Sequence, residues 1–363
     1  MTMVNPQQAE ASAEPLRVVQ WSTGNVGRRA LQAIIDLPHL HLVGVHAFGA
    51  AKIGKDAGEL ADRAPTGVIA TDDVAKLLEL QPDCISYMPV TIDYGLVADF
   101  LRAGINVVTT GDFLTGSYHA RERAQLDEAA RHGGVTFLGT GFEPGFVNLT
   151  AGFLTGGCRR VYSVSLVETL DCTTYPVAAA WRVMGFGRPL RDRCVRLTPE
   201  TSPYGLAYFE TLDLIAAMIG AELEHKELVV EQATATKDLE LGWARYEQGT
   251  VAGQRRTYRG FANGRCLVEL ALCWTMSSDS LDPQWNDPEG FRIEIEGEPR
   301  VEATIKYTLP HVEGLSEEKD TMSLLMVSTA MTALHAIPAV CAAAPGVVAM
   351  SELPPTGAPH TVV

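Results

Sequence analysis

Positive charge is scarce in this sequence. Its 363 residues include 29 lysines and arginines against 44 aspartates and glutamates, a formal net charge of −15. Because nucleic acids and anionic membranes attract basic surfaces, this balance argues against both as partners. No apolar run approaches the ~18 residues that a membrane span needs, and the first residues lack the basic and apolar regions of a signal peptide. We therefore expect neither nucleic acid nor membrane to be bound.

Several motifs of metal and hydrolytic chemistry are also missing. The seven cysteines form no Cys-x-x-Cys pair, which argues against a zinc site or a disulfide framework and fits a reducing cytoplasm. The nine histidines show no HxxxH or HExxH spacing, so we expect no metal. A Gly-x-Ser-x-Gly elbow for serine hydrolysis and a Tyr-x-x-x-Lys pair are absent as well.

What the sequence does contain is the entry to a dinucleotide-binding unit, at residues 17–37. An apolar run (18–21) precedes a turn of small residues (22–27), and apolar residues then recur at helical spacing. Such a helix N-terminus offers backbone N–H groups to a pyrophosphate; Gly24 lets the backbone approach it, and Gly27 lets the helix pack on the strand. The first position of the turn, where glycine is usual, is serine, and the alternative is an ordinary strand-to-helix turn. The predicted cofactor contacts are Ser22, Thr23, Gly24, Asn25, Val26, Gly27 and Arg28.

The second strand, over residues 41–48, bears on which cofactor is bound. An acid at the end of this strand would accept from the ribose 2′-hydroxyl and repel a 2′-phosphate. His46 stands there instead, and Lys52 follows in the next loop. Neutral and basic residues at this place favour NADP(H), with NAD(H) as the alternative. For Lys52 a purely solvated surface position is equally compatible with the sequence.

Strands and helices alternate through the rest of the first half, which indicates a parallel, doubly wound sheet. Ligands bind at the carboxyl edge of such a sheet, so we expect Pro89, Thr110 and Thr140 to contact the cofactor. The predicted strands cover 83–88, 105–109 and 135–138, and the predicted helices cover 71–80, 92–103 and 119–132.

After about residue 158 the sequence becomes rich in strands. Two hairpins are predicted, around the turns 262–264 and 297–299. A helix follows over 321–343, which Pro338 would kink or end. The predicted organisation is a disordered tail (1–15), a Rossmann domain (16–150), an α+β domain on a largely antiparallel sheet (151–320), and a helix with a tail that return to the Rossmann domain (321–363).

Three segments, 52–60, 139–149 and 336–354, resemble the dihydrodipicolinate-reductase-like oxidoreductases. They are most similar to the branch that holds 2,4-diaminopentanoate dehydrogenase and the native amine dehydrogenases. The resemblance implies a nicotinamide cofactor, reversible reductive amination of a ketone or aldehyde with ammonia, and a homodimer formed through the sheet of the second domain. True dihydrodipicolinate reductases hold a dicarboxylate with a run of His, Lys and Arg, and its absence here points toward a less charged substrate.

Two acidic residues are the candidates for catalysis. The resemblance places an acid–base carboxylate in the loop where Asp112 stands, although the family usually has glutamate there. Glu143 lies on another loop at the predicted ligand edge. A carboxylate stabilises a cationic iminium and can take the proton from ammonium. The alternatives are a helix cap for Asp112 and a structural position for Glu143.

Aromatic and acidic residues complete the predicted substrate pocket. Phe142, Phe146 and Tyr175 are candidates for an apolar wall, with core packing as the alternative, and Glu168 and Tyr204 are candidates for the far side. Two other functions stay open. One is a C=C or C=O reductase that uses no ammonia, and the other is a cofactor-binding sensor without turnover.

Overall fold

The computed structural model describes residues 14–202, 204–311, 316–359 and 361. The tail predicted over 1–15 lies outside these residues except for its last two positions, as do residues 360, 362 and 363 of the predicted C-terminal segment. The chain forms two compact units. Unit 1 comprises the residues up to Gly111, Ala120–Gly141 and the residues from Met326 onward, and unit 2 comprises Asp112–His119 and Phe142–Leu325.

Unit 1 is built on a six-stranded parallel sheet. The spatial order of the strands reverses between the first and the third strand of the chain, and in open α/β sheets a ligand binds beyond the carboxyl ends of the strands at such a reversal. The predicted doubly wound sheet is therefore confirmed. Its strands, numbered in chain order, are β1 (Leu16–Trp21), β2 (Leu40–His46), β3 (Cys84–Tyr87), β4 (Asn106–Thr109), β5 (Thr136–Gly139) and β16 (Gly346–Val348), arranged β16–β5–β4–β3–β1–β2.

Aspartates set the start of three helices in unit 1. The side chains of Asp56, Asp73 and Asp93 each accept a hydrogen bond from a backbone N–H group in the first turn of the helix that follows. Because each cap satisfies a donor that the helix leaves unpaired, the helix begins just after it. The helices are α1 (Asn25–Asp36), α2 (Ala57–Leu60), α3 (Val74–Glu79), α4 (Tyr94–Arg102) and α5 (Ala120–Gly133).

Unit 2 is built on a mixed sheet of eight strands. The path is β13–β8–β11–β12–β6–β14–β15, β7 also pairs with β8, and apart from the parallel pair β12–β6 the pairs in the described sheet are antiparallel. Its strands are β6 (Arg160–Asp171), β7 (Cys194–Leu197), β8 (His225–Ala235), β11 (Val251–Ala262), β12 (Arg265–Thr275), β13 (Leu281–Asp282), β14 (Gly290–Glu298) and β15 (Val301–Ile305), while β9 (Leu239–Glu240) and β10 (Arg245–Tyr246) form a separate ribbon.

Both predicted hairpins are confirmed. Between β11 and β12, Asn263 and Gly264 adopt φ values of +52° and +71°, the left-handed turn that an Asn-Gly pair allows. Strands β14 and β15 pair as the second hairpin. One face of this sheet is covered by α8 (Leu206–Met218), whose Phe209 ring lies 4.9 Å from that of Tyr258 on β11. The other helices of the unit are α6 (Val147–Leu154) and α7 (Ala178–Val183).

The long helix α9 (Thr321–Ala342) differs from expectation in two ways. Pro338 lies inside the helix, which continues to Ala342, so the proline does not end it. The helix is also long and apolar enough to cross a membrane by length and composition, contrary to the expectation that no segment comes near this limit. This is weak evidence for a span, since core helices of soluble proteins pass the same test, and Leu334 and Ile337 are fully buried.

Candidate active site

The turn between β1 and α1 has the geometry of a phosphate-binding loop. Ser22 adopts a φ of +80°, the left-handed conformation that explains why glycine is usual at this position. A Cβ on Gly27 would lie 2.2 Å from the carbonyl oxygen of Ser22, so the close contact of helix and turn requires glycine. A Cβ on Gly24 would instead meet only the Ser22 hydroxyl, at 3.8 Å. Packing within the protein therefore explains why residue 27 must be glycine. It does not explain the glycine at position 24, where a side chain would have room.

The N-terminus of α1 is free to receive an anion. Its N-cap residue, Gly24, provides no side-chain cap, and the first turn holds no acidic residue. Backbone N–H groups and the positive end of the helix dipole at this turn therefore have no acidic side chain of the turn itself to neutralise them. Arg28, in the same turn, forms an ion pair with Asp62. These residues fit the pyrophosphate of a dinucleotide.

Two side chains hold the turn from behind. The amide of Gln20, which is fully buried, donates to the Ser22 carbonyl at 2.9 Å. The Lys52 ammonium donates to the Thr23 carbonyl at 2.6 Å. Lys52 is therefore a support of the glycine turn and not a solvated lysine. Sequence patterns gave no signal for Gln20, because a strand residue reaches a turn carbonyl only once the chain has folded.

The surroundings of His46, at the end of β2, are less basic than the sequence indicates. His46 is buried and stacks on Trp21 with ring centroids 3.9 Å apart. Burial lowers the pKa of His46, and nearby Asp72 opposes that shift only in part, so the imidazole is neutral at pH 7. The backbone of residue 71 pairs beside His46, which brings Asp72 into this region. The end of β2 itself has no acidic residue, but Asp72 from another segment supplies a negative charge close to it.

The three other predicted cofactor residues follow neighbouring strands. Thr110 and Thr140 come directly after β4 and β5, and Pro89 lies two residues after β3, so all three lie at the carboxyl edge of the parallel sheet. Pro89 and Thr110 are half-buried. Thr140 is buried, and its hydroxyl donates to the Met350 sulfur at 3.2 Å. The sheet brings these residues to one edge, as expected.

Glu143 is fixed in unit 2 by a short polar chain. The Gly145 N–H donates to the side-chain oxygen of Asn148 at 2.7 Å, and the Asn148 amide donates to Oε1 of Glu143 at 3.3 Å. Gly145 has a φ of +141°, which only glycine readily adopts. Oε2 of Glu143 is buried and has no hydrogen-bond partner within the described part of the chain. An acid oriented on one oxygen and unsatisfied on the other calls for a functional explanation.

Glu168 acts electrostatically on Glu143. Glu168 is 4% exposed on β6, and the Trp274 indole N–H donates to its Oε1 at 2.5 Å. Burial raises the pKa of Glu168 to about 7, against a smaller lowering by Trp274. Burial and the charge of Glu168 raise the pKa of Glu143 well above its ordinary value. Both carboxyl groups are therefore protonated more readily than exposed glutamates.

Asp112 occupies a different environment from the two glutamates. The residue is solvent-exposed, and its Oδ1 accepts the Ala207 N–H at the start of α8 at 3.1 Å. Asp112 is thus a cap, although for α8 and not for the helix that follows it in the chain. Partial desolvation raises its pKa, opposed by the Ala207 hydrogen bond and by His119. The structure does not place Asp112 in a hydrogen bond with Glu143 or Glu168.

The loop that carries Asp112 is held by Glu210. This fully buried carboxylate accepts the backbone N–H groups of Leu114, Thr115 and Gly116 at 2.7, 2.8 and 3.0 Å. Burial works to raise the pKa of Glu210, but the hydrogen bonds from His119 and from these N–H groups outweigh it and lower the pKa. Glu210 is therefore an ionised structural clamp.

The predicted pocket aromatics divide between core and surface. Phe142 is buried, with its ring 5.3 Å from Phe291, so it belongs to the core of unit 2. Phe146 is 38% exposed. Tyr175 is half-buried against Trp181, and Tyr204 is half-buried with the Arg256 guanidinium 5.1 Å from its ring. Asn148, Trp274 and Arg256 were missed from the sequence because isolated polar and aromatic residues in strands and helices carry no positional signal.

Comparisons with known proteins agree on one family. Residues 149–362 match the profile of the 2,4-diaminopentanoate dehydrogenase C-terminal domain. An amine dehydrogenase from Streptomyces virginiae is 30% identical over 314 residues, which cover 81% of this chain and 85% of the relative.

Solved structures show the same fold. The amine dehydrogenase from Mycobacterium smegmatis has a TM-score of 0.73 at 21% identity, over 94% of this chain and 97% of that one. GenD2 from gentamicin A biosynthesis, solved in complex with NAD, has a TM-score of 0.51 at 17% identity, over 96% and 90% of the two chains. The chain belongs to the amine dehydrogenase and 2,4-diaminopentanoate dehydrogenase family of NAD(P)-dependent oxidoreductases.

Proposed function

We propose that this amine dehydrogenase catalyses the reversible reductive amination of a ketone or aldehyde with ammonia, and that Glu143 and Glu168 receive the substrate nitrogen. The observation that carries the assignment is Glu143, held by Asn148 with its buried Oε2 lacking a hydrogen-bond partner among the described residues, together with Glu168, whose pKa burial raises to about 7. Family membership supports the class of reaction.

The pair suits a nitrogen that changes its charge during the reaction. An ammonium ion beside the two carboxyl groups favours their ionised form, because opposite charges lower a carboxyl pKa. The pair takes a proton from ammonium, and the resulting ammonia attacks the carbonyl carbon to give a carbinolamine. Return of the proton to the carbinolamine oxygen releases water and forms the iminium, whose positive charge the ionised carboxylate stabilises. Asn148 and Trp274 keep the two acids oriented throughout.

A nicotinamide cofactor, when bound, supplies the hydride that reduces the iminium carbon. The residues that would hold its pyrophosphate are the turn 22–27 and the open N-terminus of α1, with Gln20 and Lys52 supporting the turn. The chain passes from Thr140 to Glu143 in three residues, so one loop carries both a predicted cofactor contact and a proposed acid.

Several finer assignments belong to this proposal. NADP(H) is favoured by the absence of an acid on β2 itself, and Asp72 beside His46 is the feature that opposes it. Comparison of kcat/KM for NADH and NADPH measures the preference. Asp112 is a second candidate acid–base group, supported by its raised pKa. A homodimer is supported by the family resemblance, and a cytoplasmic location by the pattern of cysteines.

The reaction is tested by cofactor oxidation with a panel of small ketones and aldehydes, with and without ammonium. We expect turnover only with ammonium, and a loss of ~10²-fold or more in kcat/KM for Glu143→Gln. Glu222→Gln, an exposed glutamate of unit 2, is the matched control and should behave as wild type.

Two outcomes would replace the proposal with its rivals. Turnover that does not depend on ammonium would indicate a C=C or C=O reductase. Tight binding of NADPH or NADH without turnover across the panel would indicate a sensor. Wild-type activity of both Glu143→Gln and Glu168→Gln would leave the reaction in place and remove the glutamate pair from it.

A further inference from the structure

An open cavity of about 480 Å³ in unit 2 concentrates positive charge. Three arginines line it, Arg159, Arg160 and Arg265, and none of the described residues in its lining is acidic. This concentration stands out in a chain that has 29 lysines and arginines against 44 aspartates and glutamates. Neither Glu143 nor Glu168 belongs to the lining, so the cavity is separate from the two proposed acids.

The sheet brings the arginines to one edge of unit 2. Strands β6 and β12 are parallel neighbours, so both begin at the same edge of the sheet. Arg160 is the first residue of β6 and Arg265 is the first residue of β12. Because adjacent strands lie roughly 5 Å apart, both side chains are within reach of one ligand. Arg159 directly precedes β6.

The negative charge beside the cavity satisfies only part of this cluster. Glu298, on β14, forms ion pairs with both Arg159 and Arg160. The Arg265 guanidinium lies 6.0 Å from the ring of Tyr162 and forms no ion pair with a carboxylate of the described residues. The three guanidinium groups thus share a single carboxylate, and most of their N–H donors remain for a ligand.

A second acid lies close to the cavity without pairing with its arginines. Oε1 of Glu224 accepts the backbone N–H of Asn263, in the hairpin turn before β12, at 3.2 Å. This hydrogen bond explains the position of Glu224 at the turn. It leaves the arginines of the cavity without a second partner among the described carboxylates.

The remaining lining of the cavity is largely apolar. Val161 on β6, Leu267 on β12 and Met218 at the end of α8 contribute hydrophobic side chains to it. A concave site that combines an apolar surface with a few convergent charged groups is typical of a binding site for a small molecule. The cavity therefore fits a ligand that has both an anionic and an apolar part.

We propose that this cavity binds a small organic phosphate, whose phosphate group is held by Arg160 and Arg265. A phosphate carries up to two negative charges and three acceptor oxygens, and the planar fork of arginine matches these oxygens in bidentate hydrogen bonds. Two forks at one edge thus suit a dianion better than a single carboxylate. The apolar part of the ligand packs against Met218 and Leu267.

The site is tested by binding to the full chain, independently of turnover. Isothermal titration with phenyl phosphate and with phenylacetate compares a dianion with a monoanion that carries the same ring. We expect phenyl phosphate to bind at least about tenfold more tightly, because it makes additional charge-assisted hydrogen bonds. Inorganic phosphate should bind at least about tenfold more weakly than phenyl phosphate, because it buries no apolar surface.

Substitutions at the sheet edge locate the binding site. Arg160→Met and Arg265→Met should each weaken the binding of phenyl phosphate at least about tenfold. Both side chains are exposed, so the variants should fold normally by circular dichroism. Arg188→Met removes an exposed arginine of unit 2 outside the cavity and should bind as wild type does.

One further variant separates this cavity from the dinucleotide turn of unit 1. Arg28→Met changes the first turn of α1 and should leave the affinity for phenyl phosphate unchanged. Binding that is lost in Arg28→Met and retained in Arg265→Met would place the anion at that turn and overturn the proposal.

The titrations can also contradict the ligand class. Equal affinities of the wild type for phenyl phosphate and phenylacetate would refute a phosphate site, and equal affinities for phenyl phosphate and inorganic phosphate would refute an organic ligand. Unchanged binding in both Arg160→Met and Arg265→Met would show that these arginines are solvated surface residues.

Discussion

Two neighbouring glutamates of unit 2 favour their neutral forms. Burial raises the pKa of Glu168 to about 7 and, together with the charge of Glu168, raises that of Glu143 well above its ordinary value. Like charges in a poorly hydrated site repel strongly, so these carboxyl groups lose their protons at a higher pH than exposed glutamates, which ionise near pH 4. A cation that approached them would lower both pKa values, because opposite charges favour the ionised form of a carboxyl group.

The same shift predicts how stability depends on pH. A carboxyl group whose pKa is higher in the folded than in the unfolded chain binds more protons when folded, so its contribution to stability is present below pH 4.5 and is lost as the pH rises through about 7. For Glu168 the shift from 4.5 to about 7 corresponds to about 3 kcal/mol. Glu168→Gln should therefore be more stable relative to wild type at pH 8 than at pH 5.

Urea unfolding of both proteins at the two pH values measures this effect. Glu222→Gln is the control, because an exposed glutamate should leave the pH dependence unchanged. An identical loss of stability between pH 5 and pH 8 in wild type and Glu168→Gln would show that Glu168 titrates normally.

At Asp112 a single substitution can remove the charge and keep the hydrogen bond that the side chain accepts. Asparagine keeps an oxygen that accepts the Ala207 N–H, so Asp112→Asn should preserve the cap of α8 and the stability of unit 2. It loses the charge, and if Asp112 is the acid–base group turnover should fall ~10²-fold or more while cofactor affinity stays near normal. Wild-type kcat in this variant would restrict Asp112 to its role as a cap.

At the scale of elements, the two glycines of the turn between β1 and α1 have different roles. Gly27 is required for packing, and Gly24 is expected to be required for cofactor binding. Gly27→Ala places a methyl group against the Ser22 carbonyl, and we expect a loss of about 2 kcal/mol or more in the free energy of unfolding. Gly24→Ala adds a methyl group to open space, so its stability should be within about 1 kcal/mol of wild type. If a pyrophosphate occupies that space, Gly24→Ala should weaken NADPH and NADH binding at least about tenfold.

Thermal unfolding and fluorescence titration of the two variants give the necessary values. The informative comparison is between a destabilised Gly27→Ala and a stable Gly24→Ala that binds poorly. Normal cofactor affinity in Gly24→Ala would place the pyrophosphate elsewhere.

Elements with local signals were predictable from the sequence, and those that depend on distant partners were not. The Asn-Gly turn specifies its own backbone angles, so the β11–β12 hairpin follows directly from residues 262–264. Strand β16 has only three residues and exists because it pairs with β5, more than 200 positions away. Its sequence, Gly-Val-Val, carries no strand pattern of useful length.

At the scale of the whole molecule, the candidate site also combines features that the local sequence predicts with features that depend on distant residues. Glu143 was predicted because its loop follows a strand of the parallel sheet. Its raised pKa was not, since that depends on burial and on Glu168. The clamp of residues 114–116 by Glu210 joins groups about ninety positions apart. The contacts of the Arg256 guanidinium with the rings of Tyr204 and Tyr258 likewise form only in the folded chain.

The predicted homodimer is also a property of the whole molecule, and the unit 2 sheet indicates which of its faces would form the interface. Because α8 covers the face of the unit 2 sheet that carries Glu168 and Arg256, a homodimer through this sheet would use the other face. There Val167 on β6 is half-buried beside Ala271 on β12. Sedimentation should then give twice the chain mass of 39.2 kDa.

Val167→Glu tests where the two copies meet. An unpaired carboxylate buried in an interface costs several kcal/mol, so this variant should sediment as a folded monomer. Val183→Glu makes the same chemical change at a side chain that is 61% exposed on α7 and should remain dimeric. A monomeric wild type would refute the dimer. A dimeric, folded Val167→Glu would move the interface away from this face, because two carboxylates brought together across a two-fold axis would repel each other and separate the copies.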